Sequence, residues 1–328
     1  MRLFYYRFLT HTFYYTKPKP GNLTDVNRSG FSLFYRFCTF LIIDFSFSYH
    51  HSGILSLNCG MKISDFVGAA ADVLLPRTCL VCGRRLNLKE SHICLACKAD
   101  MPLTRFWAIP HNPMADRFNA AIQAWLEEGW AAEAGRPEHN TAEPKGGATC
   151  SRNEPYAYAA ALFFYQSGAG YRQIPYQIKY HGNLPAGRFF GEMLGRRLAS
   201  SDSFADVDMI IPVPLHWTRR WKRGYNQAEV IAAGTAASMR IPMRTDILLR
   251  HRRTSTQTKM DIKEKARNVS GAFQVSENFR PDENVRHILV IDDVFTTGST
   301  LTACFTALRS VFPPSVRISV ATLAFVGH

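Results

Sequence analysis

From residue 156 onward, the chain alternates between apolar runs of strand length and longer amphipathic stretches with helical periodicity. The runs predict strands at 158–164, 209–214, 287–292 and 316–325, and the longer stretches predict helices at 184–199, 226–239 and 299–312. Strands that alternate with helices in this way build a mostly parallel sheet covered by helices. The predicted fold class is therefore α/β, and ligands of such sheets bind beyond the carboxyl ends of the strands.

The first sixty residues lack this order, since aromatic residues crowd the segment and neither period lasts. Their longest apolar run, 37–47, is broken by Asp44 and is shorter than the roughly 20 residues of a spanning helix. The segment also lacks the ordered regions of a secretory signal. We interpret Met61, which opens a regular amphipathic pattern, as the physiological start, and 1–60 as a non-physiological or disordered extension. A membrane-associated leader is the competing interpretation. The expectation is a cytoplasmic protein without stable membrane insertion.

Two Cys-x-x-Cys pairs, separated by eleven residues, are formed by Cys79, Cys82, Cys94 and Cys97. This spacing is typical of four thiolates around one tetrahedral Zn²⁺. Two disulfides are an alternative that needs an oxidising compartment, and a redox motif would occur once, at the start of a helix. The pattern therefore favours structural zinc, which would supply most of the folding energy of so small a segment.

Amino-acid composition indicates the remaining boundaries between the predicted domains. Residues 127–155 are rich in Gly, Pro, Glu and Asn and have few apolar positions, which predicts a flexible linker. The predicted organisation is thus the extension 1–60, a zinc-ribbon module 61–105, a connector with its linker 106–155, and an α/β domain 156–328. A formal net charge of +13 favours anionic partners, and both nucleic acid and phosphorylated metabolites satisfy it.

A dense group of polar residues follows the apolar strand at 287–291. It reads Asp292-Asp293-Val294-Phe295-Thr296-Thr297-Gly298-Ser299-Thr300. Two acids at a strand terminus can accept hydrogen bonds from vicinal ribose hydroxyls, and Gly298 permits a tight turn. Hydroxyl and N–H groups at the start of the next helix suit a phosphate monoester. A plain helix cap needs only one such residue, so the segment predicts a ribose 5-phosphate site. No G-x-x-x-x-G-K-[ST] or G-x-G-x-x-G motif points to an NTPase or dinucleotide site.

The segment resembles the phosphoribosyl pyrophosphate loop of type I phosphoribosyltransferases. From the cysteine pairs to the C-terminus, apart from the linker, the chain resembles the ComF family of competence and GntX-like proteins. Three further stretches carry the resemblance: Tyr176 to Gly182, Ile211 to Pro214 with Arg219, Arg220 and Arg223 to Gln227, and Arg253-Thr254 with Gln257, Arg267-Asn268 and Ala272-Phe273. The last of these resembles a mobile loop over the site. Tyr176 stands where relatives often carry His, which leaves an acid/base role there in doubt.

The resemblance implies a type I phosphoribosyltransferase fold that binds phosphoribosyl pyrophosphate with Mg²⁺. Asp292 and Asp293 would hold ribose hydroxyls, and Thr296 to Thr300 the 5-phosphate. Lys179, Arg223 and Arg267 are the candidates for the charges that offset pyrophosphate, and an ordinary solvated basic residue is the alternative for each. Phosphoribosyl transfer is a possible activity, with no catalytic residue identified because Phe295 offers no acid or base.

A second hypothesis belongs to a different class of function. The chain would be a DNA-uptake or competence accessory protein that binds single-stranded DNA through the zinc module and a basic surface. The segment Trp217-Thr218-Arg219-Arg220-Trp221-Lys222-Arg223 interleaves aromatic and basic residues, as strand-binding surfaces do.

Overall fold

The computed structural model describes residues 76–134, 154–166, 170–251 and 271–327, which all fall within one compact unit. The predictions made for residues 1–60, for the helical pattern that begins at Met61, and for Arg253, Gln257 and Arg267 lie outside the described residues. The described part contains the cysteine pairs and the whole of the predicted sheet.

The elements follow one another as helices and strands in alternation. The helices are α1 (Leu95–Ala99), α2 (Pro113–Ala134), α3 (Gln173–Tyr180), α4 (Leu184–Ala199), α5 (Trp217–Arg223), α6 (Gln227–Met239) and α7 (Ser299–Arg309). The strands are β1 (Ala159–Phe164), β2 (Met209–Pro212), β3 (Leu248–Arg250), β4 (Phe273–Val275), β5 (His287–Phe295) and β6 (Arg317–Phe325). Short 3-10 helices occur at Phe106–Ala108, Gly170–Arg172 and Asp202–Phe204.

In the described part of the chain, four strands form a sheet in the order β1-β6-β5-β2, and each neighbouring pair is parallel. β3 and β4 form a separate antiparallel pair. β5 and β6 are buried along nearly their whole length, as strands covered by helices on both faces must be. The predicted α/β class, with a mostly parallel sheet flanked by helices, is confirmed.

Close packing of α4 against α6 covers part of the sheet. A Cβ atom at Gly191 would lie 2.2 Å from the carbonyl oxygen of Ile231, and one at Gly234 would lie 2.2 Å from that of Arg188. Only glycine therefore lets the two backbones approach this closely. Thr235 adds a hydrogen bond of 3.1 Å from its hydroxyl to the Gly191 carbonyl across the same contact.

Several boundaries differ from the predicted ones, and tertiary contacts explain each difference. β5 continues past the two acids to Phe295 because Val294 and Phe295 pair with Ala324 and Phe325 of β6. No helix was predicted in the connector 106–155, but α2 spans Pro113–Ala134, so the first eight residues of the predicted linker, 127–134, are helical. The sequence pattern also did not predict the two short helices α3, of eight residues, and α5, of seven residues. Helices so short depend on packing rather than on their own periodicity.

No helix in the described ranges is long and apolar enough to cross a bilayer.

Candidate functional site

The two acids lie side by side in β5 but have different surroundings. Adjacent residues of a strand point to opposite faces of the sheet, and here Asp293 is buried whereas Asp292 is half-buried. The Asp293 backbone N–H donates to Oδ1 of Asp292 at 2.8 Å. The strand terminus that the sequence predicted at Asp292 is thus three residues too early, and only the half-buried Asp292 keeps appreciable contact with solvent.

Lys179 of α3 reaches the buried acid from the neighbouring layer. Its Nζ lies 3.1 Å from Oδ2 of Asp293. The negative charge of Asp293 is the main reason that the pKa of Lys179 is raised, and Asp292 adds to it. The structure therefore brings together Lys179 and the acid pair, which are more than a hundred residues apart in sequence.

The carboxyl of Asp292 titrates near neutrality. Burial, and then the charge of Asp293, raise its pKa to about 7. The neighbouring Lys179 and Arg250 act in the opposite direction but are outweighed. A carboxyl with a raised pKa beside a second carboxyl and two cations is the kind of arrangement that concentrates at functional sites.

The segment between β5 and α7 forms the predicted turn. Gly298 adopts a φ of +83°, and an added Cβ there would lie 2.8 Å from Cζ of Phe295. The Thr297 and Ser299 hydroxyls are 2.6 Å apart, and the Ser299 N–H approaches the Thr297 hydroxyl at 3.4 Å. Among the described residues, no acceptor receives the backbone N–H of Thr297, Gly298 or Thr300.

These donors point to an anion cradle. The N–H groups stand at the start of the eleven-residue helix α7, where the helix dipole favours negative charge. The N-cap residue Gly298 has no side chain to cap the helix, and among the described residues only the Ser299 N–H of this turn has a side-chain acceptor, so the other first donors are available to a ligand. Thr296 is exposed and Thr300 is half-buried, which keeps both of these hydroxyl side chains accessible.

Arg223 lies at the end of α5 and contacts α3. Its guanidinium stands over the ring of Tyr180, 5.4 Å from the centroid, and its Nη1 donates to Oε1 of Gln227 at 3.2 Å. Tyr225 ties the same two segments together, since its hydroxyl donates to the Ile178 carbonyl at 2.7 Å. Arg223 is therefore held beside the residue that follows Lys179.

Two arginines near the site were missed at the level of sequence. Arg250 ends β3; burial lowers its pKa, and it interacts electrostatically with Asp292 and Arg219. Arg117, on α2, donates to the carbonyl oxygen of Thr296 at 3.0 Å. Neither lies in a recognisable motif, and Arg117 is 179 residues from its acceptor, so no spacing signal could have identified it.

The four cysteines of the two pairs form a cluster in which all sulfur atoms lie within 4.8 Å of one another. The Cys82 and Cys94 sulfurs are 3.8 Å apart. Four thiolates at about 2.3 Å from a tetrahedral Zn²⁺ are separated by about the same distance. The geometry is that of a site compatible with structural zinc.

Backbone N–H groups are directed at two of these sulfurs, as hydrogen-bond donors around the ligands of zinc sites are. The Cys94 N–H points to the Cys79 sulfur at 3.4 Å, and the Cys97 N–H to the Cys94 sulfur at 3.5 Å. The hydrogen bond from Cys97 is the main cause that lowers the pKa of Cys94 to about 6. The Cys94 sulfur is therefore ready to bind a metal as a thiolate at neutral pH.

A third polar cluster lies at the other end of β5 and is structural. His287 contacts Asp206 through Nδ1 and Ser319 through Nε2, each at 2.7 Å. Both His287 and Ser319 are fully buried, and burial lowers the pKa of the imidazole. A substrate cannot reach this Ser-His-Asp arrangement, which instead satisfies polar groups inside the core.

No family model matches the chain. Comparison with individual known proteins does find relatives. The chain is 36% identical over 113 residues to Competence protein F of Haemophilus influenzae, which covers 34% of this chain and 48% of that protein. It is 34% identical over 94 residues to DNA utilization protein YhgH of Escherichia coli O157:H7, covering 29% and 40%. The chain spans about half the length, or less, of the curated relatives it matches. These similarities confirm the resemblance to the ComF family.

Proposed function

We propose that this protein binds a ribose 5-phosphate group, as phosphoribosyl pyrophosphate or a related phosphorylated ribose, beyond the end of β5. The observation that supports the proposal is the turn after β5, where the N–H groups of Thr297, Gly298 and Thr300 have no acceptor among the described residues and stand at the start of α7. A phosphate monoester matches both the donors and the positive end of the helix dipole.

The acids and cations around this turn suit the rest of such a ligand. Asp292, which keeps contact with solvent, accepts hydrogen bonds from ribose hydroxyls, and Asp293 holds Lys179 in place. Lys179, Arg223 and, from the segment outside the described residues, Arg267 provide charges for a pyrophosphate. Mg²⁺, when bound together with that ligand, would help to offset the negative charge of the pyrophosphate. Transfer of the phosphoribosyl group would then require a nucleophile from an acceptor that binds next to the anomeric carbon.

Calorimetry tests this proposal directly. We expect saturable heat when phosphoribosyl pyrophosphate with Mg²⁺, or ribose 5-phosphate, is titrated into the zinc-loaded protein. The double variant Asp292→Asn/Asp293→Asn should lose this binding, whereas Asp202→Asn, at an exposed acid elsewhere, should retain it. Absence of heat from both ligands on folded protein would refute the proposal.

A second candidate function is binding of single-stranded DNA, and two relatives are named a competence protein and a DNA utilization protein. The observation that favours it is the placement of aromatic rings. Within the described ranges, the strongly exposed aromatic side chains all lie on α3 and α5: Tyr176, Tyr180, Trp217 and Trp221. Trp221 is 87% exposed and stands between Arg220 and Lys222, so bases could stack beside backbone-binding charges.

Anisotropy of a fluorescent oligonucleotide distinguishes this function from the first. We expect binding that weakens steeply with salt and that is lost in Arg219→Ala/Arg220→Ala and in Trp221→Ala. Arg286→Ala, at an exposed arginine beside the opposite end of β5, is the matched control and should bind normally. Equal affinity in all of these variants would exclude α5 as a DNA-binding surface.

A further inference from the structure

Arg117 connects α2 to the turn that follows β5. Its Nη1 donates to the carbonyl oxygen of Thr296 at 3.0 Å and to that of Val326 at 3.4 Å. Its guanidinium also stands over the ring of Phe325, 5.2 Å from the centroid. The Val326 N–H in turn donates to the Phe295 carbonyl at 2.9 Å. One side chain thus joins the residues that follow β5 to those that follow β6.

The carbonyl that Arg117 holds belongs to the same peptide group as a donor of the cradle. A peptide unit is planar and trans, so its C=O and N–H point in opposite directions. Because the Thr296 carbonyl is fixed toward Arg117, the Thr297 N–H is fixed away from it. That N–H donates to no acceptor among the described residues, which leaves it for a ligand.

We propose that Arg117 is a positioning residue of the phosphate cradle, which it serves by fixing the Thr296–Thr297 peptide and by adding positive charge beside it. The inference rests on the proposed function, because it assumes that a phosphate monoester occupies the turn. A hydrogen bond from a cation to the carbonyl also polarises the peptide group and strengthens its N–H as a donor.

α2 is also held by side chains other than this arginine. The helix is anchored by buried apolar side chains, Met114, Phe118, Ile122 and Leu126, whereas Arg117 is only half-buried. Replacement of Arg117 should therefore loosen the turn and leave the helix in place. Within the described residues, only Nη1 of Arg117 makes hydrogen bonds.

Calorimetric titration of ribose 5-phosphate into Arg117→Ala tests the role. Loss of one charge-assisted contact of this kind predicts about tenfold weaker binding. We expect Arg117→Lys, which keeps the charge but not the planar fork, to lie between Arg117→Ala and the wild type. Added methylguanidinium should partly restore binding to Arg117→Ala only. Arg286→Ala serves as the control and should match the wild type.

A second measurement needs no ligand. In the free wild-type protein, ¹⁵N relaxation should give the amides of Thr297 and Gly298 order parameters of about 0.85, as in rigid backbone. In Arg117→Ala, the same order parameters should fall below about 0.6, as in flexible backbone. Affinity within twofold of the wild type together with unchanged order parameters would overturn the positioning role alone. A wild-type protein that binds no ribose 5-phosphate would refute the proposed function and this inference with it.

Discussion

At the scale of single residues, the central feature of the site is Asp292, whose surroundings make ionisation of its carboxyl unfavourable. Asp292 is half-buried beside Asp293, and this partial burial together with the charge of Asp293 raises its pKa to about 7. An ionised carboxylate in such a place opposes folding, since the unfolded chain would solvate it freely. This cost to stability agrees with the binding role proposed for Asp292.

Asp292→Asn should therefore stabilise the protein at alkaline pH. The folded pKa of Asp292 lies above the unfolded value, so its contribution to stability is full in acid and is lost as the pH rises through about 7. We expect the variant to raise the free energy of unfolding by about 2 kcal/mol at pH 8 and by little at pH 4. Urea unfolding at both values measures this. A gain that is larger in acid would contradict the assignment.

At the scale of elements, the unit that matters is β5, its turn and α7. The strand is fixed by pairing with β6, and the helix is fixed by its buried face, so the turn is held from both sides. Gly298 is the residue that allows the chain to reverse so tightly. Its positive φ and its closeness to Phe295 both exclude a side chain.

Gly298→Ala should strain this turn. The variant places a Cβ in a left-handed conformation and against the Phe295 ring, so we expect a loss of about 2 kcal/mol in stability and weaker ribose 5-phosphate binding. Gly271→Ala is the matched control, because Gly271 has a φ of +73° but no atom within 4 Å of the added Cβ. Similar losses in both variants would show that the Phe295 contact is unimportant. Thermal and urea unfolding give the comparison.

A buried ion pair anchors the C-terminal end of α7. Arg309 contacts Glu154 through Nη2 and donates to the Val316 carbonyl at 2.8 Å, and both charged side chains are almost fully buried. Burial lowers the pKa of Arg309 and raises that of Glu154. The pair links Glu154 to the C-terminal end of α7.

Arg309→Met should destabilise the protein by about 3–5 kcal/mol, because it leaves Glu154 buried without a partner. The double variant Arg309→Met/Glu154→Leu should lose less than Arg309→Met alone, since no unpaired charge remains. Equilibrium unfolding in urea measures all three proteins. If the double variant were the least stable of the three, the ion pair would be a net source of stability. Its attraction would then do more than offset the cost of burying the two charges.

At the scale of the whole molecule, the segment that contains the four clustered cysteines, here called the cysteine module, is joined to the α/β domain by direct contacts. The Tyr171 hydroxyl donates to the Cys97 carbonyl at 2.8 Å, and the rings of His92 and Phe189 are 5.4 Å apart. If a metal ion orders the module, its binding should therefore also stabilise the domain. We expect the module to act as a support for the face that contains α3 and α4.

Removal of a metal ion from the cysteine cluster should unfold the module and make the domain less stable. We expect one Zn²⁺ per chain, and a strong chelator should unfold the module and lower the melting temperature of the domain by several degrees. Cys94→Ser should reproduce the effect, whereas Cys304→Ala, at a buried cysteine outside the cluster, should keep its zinc. Metal content and circular dichroism, with Zn²⁺ added back, check the result. A protein that contains no zinc yet melts normally would rule out the metal site.

Sequence periodicity predicted the long elements of the α/β domain well and the short ones poorly. The predicted helix 184–199 coincides with α4, and the other predicted strands and helices overlap the observed ones with shifted ends. Periodicity detects elements that bury one face along several turns. It cannot detect α3 or α5, whose positions depend on Tyr225 and on the layers they contact.

The linear order of residues determined the features that are local in the chain: the two cysteine pairs, the buried strand before the acids, and the glycine with its hydroxyl residues before α7. These depend on neighbours in sequence, so they can be read there. Only the tertiary structure decided that Lys179 meets Asp293, that Arg117 holds the Thr296 carbonyl, and that the two acids differ in exposure. Those contacts join layers that are far apart in the chain, and packing, rather than any local preference, brings them together.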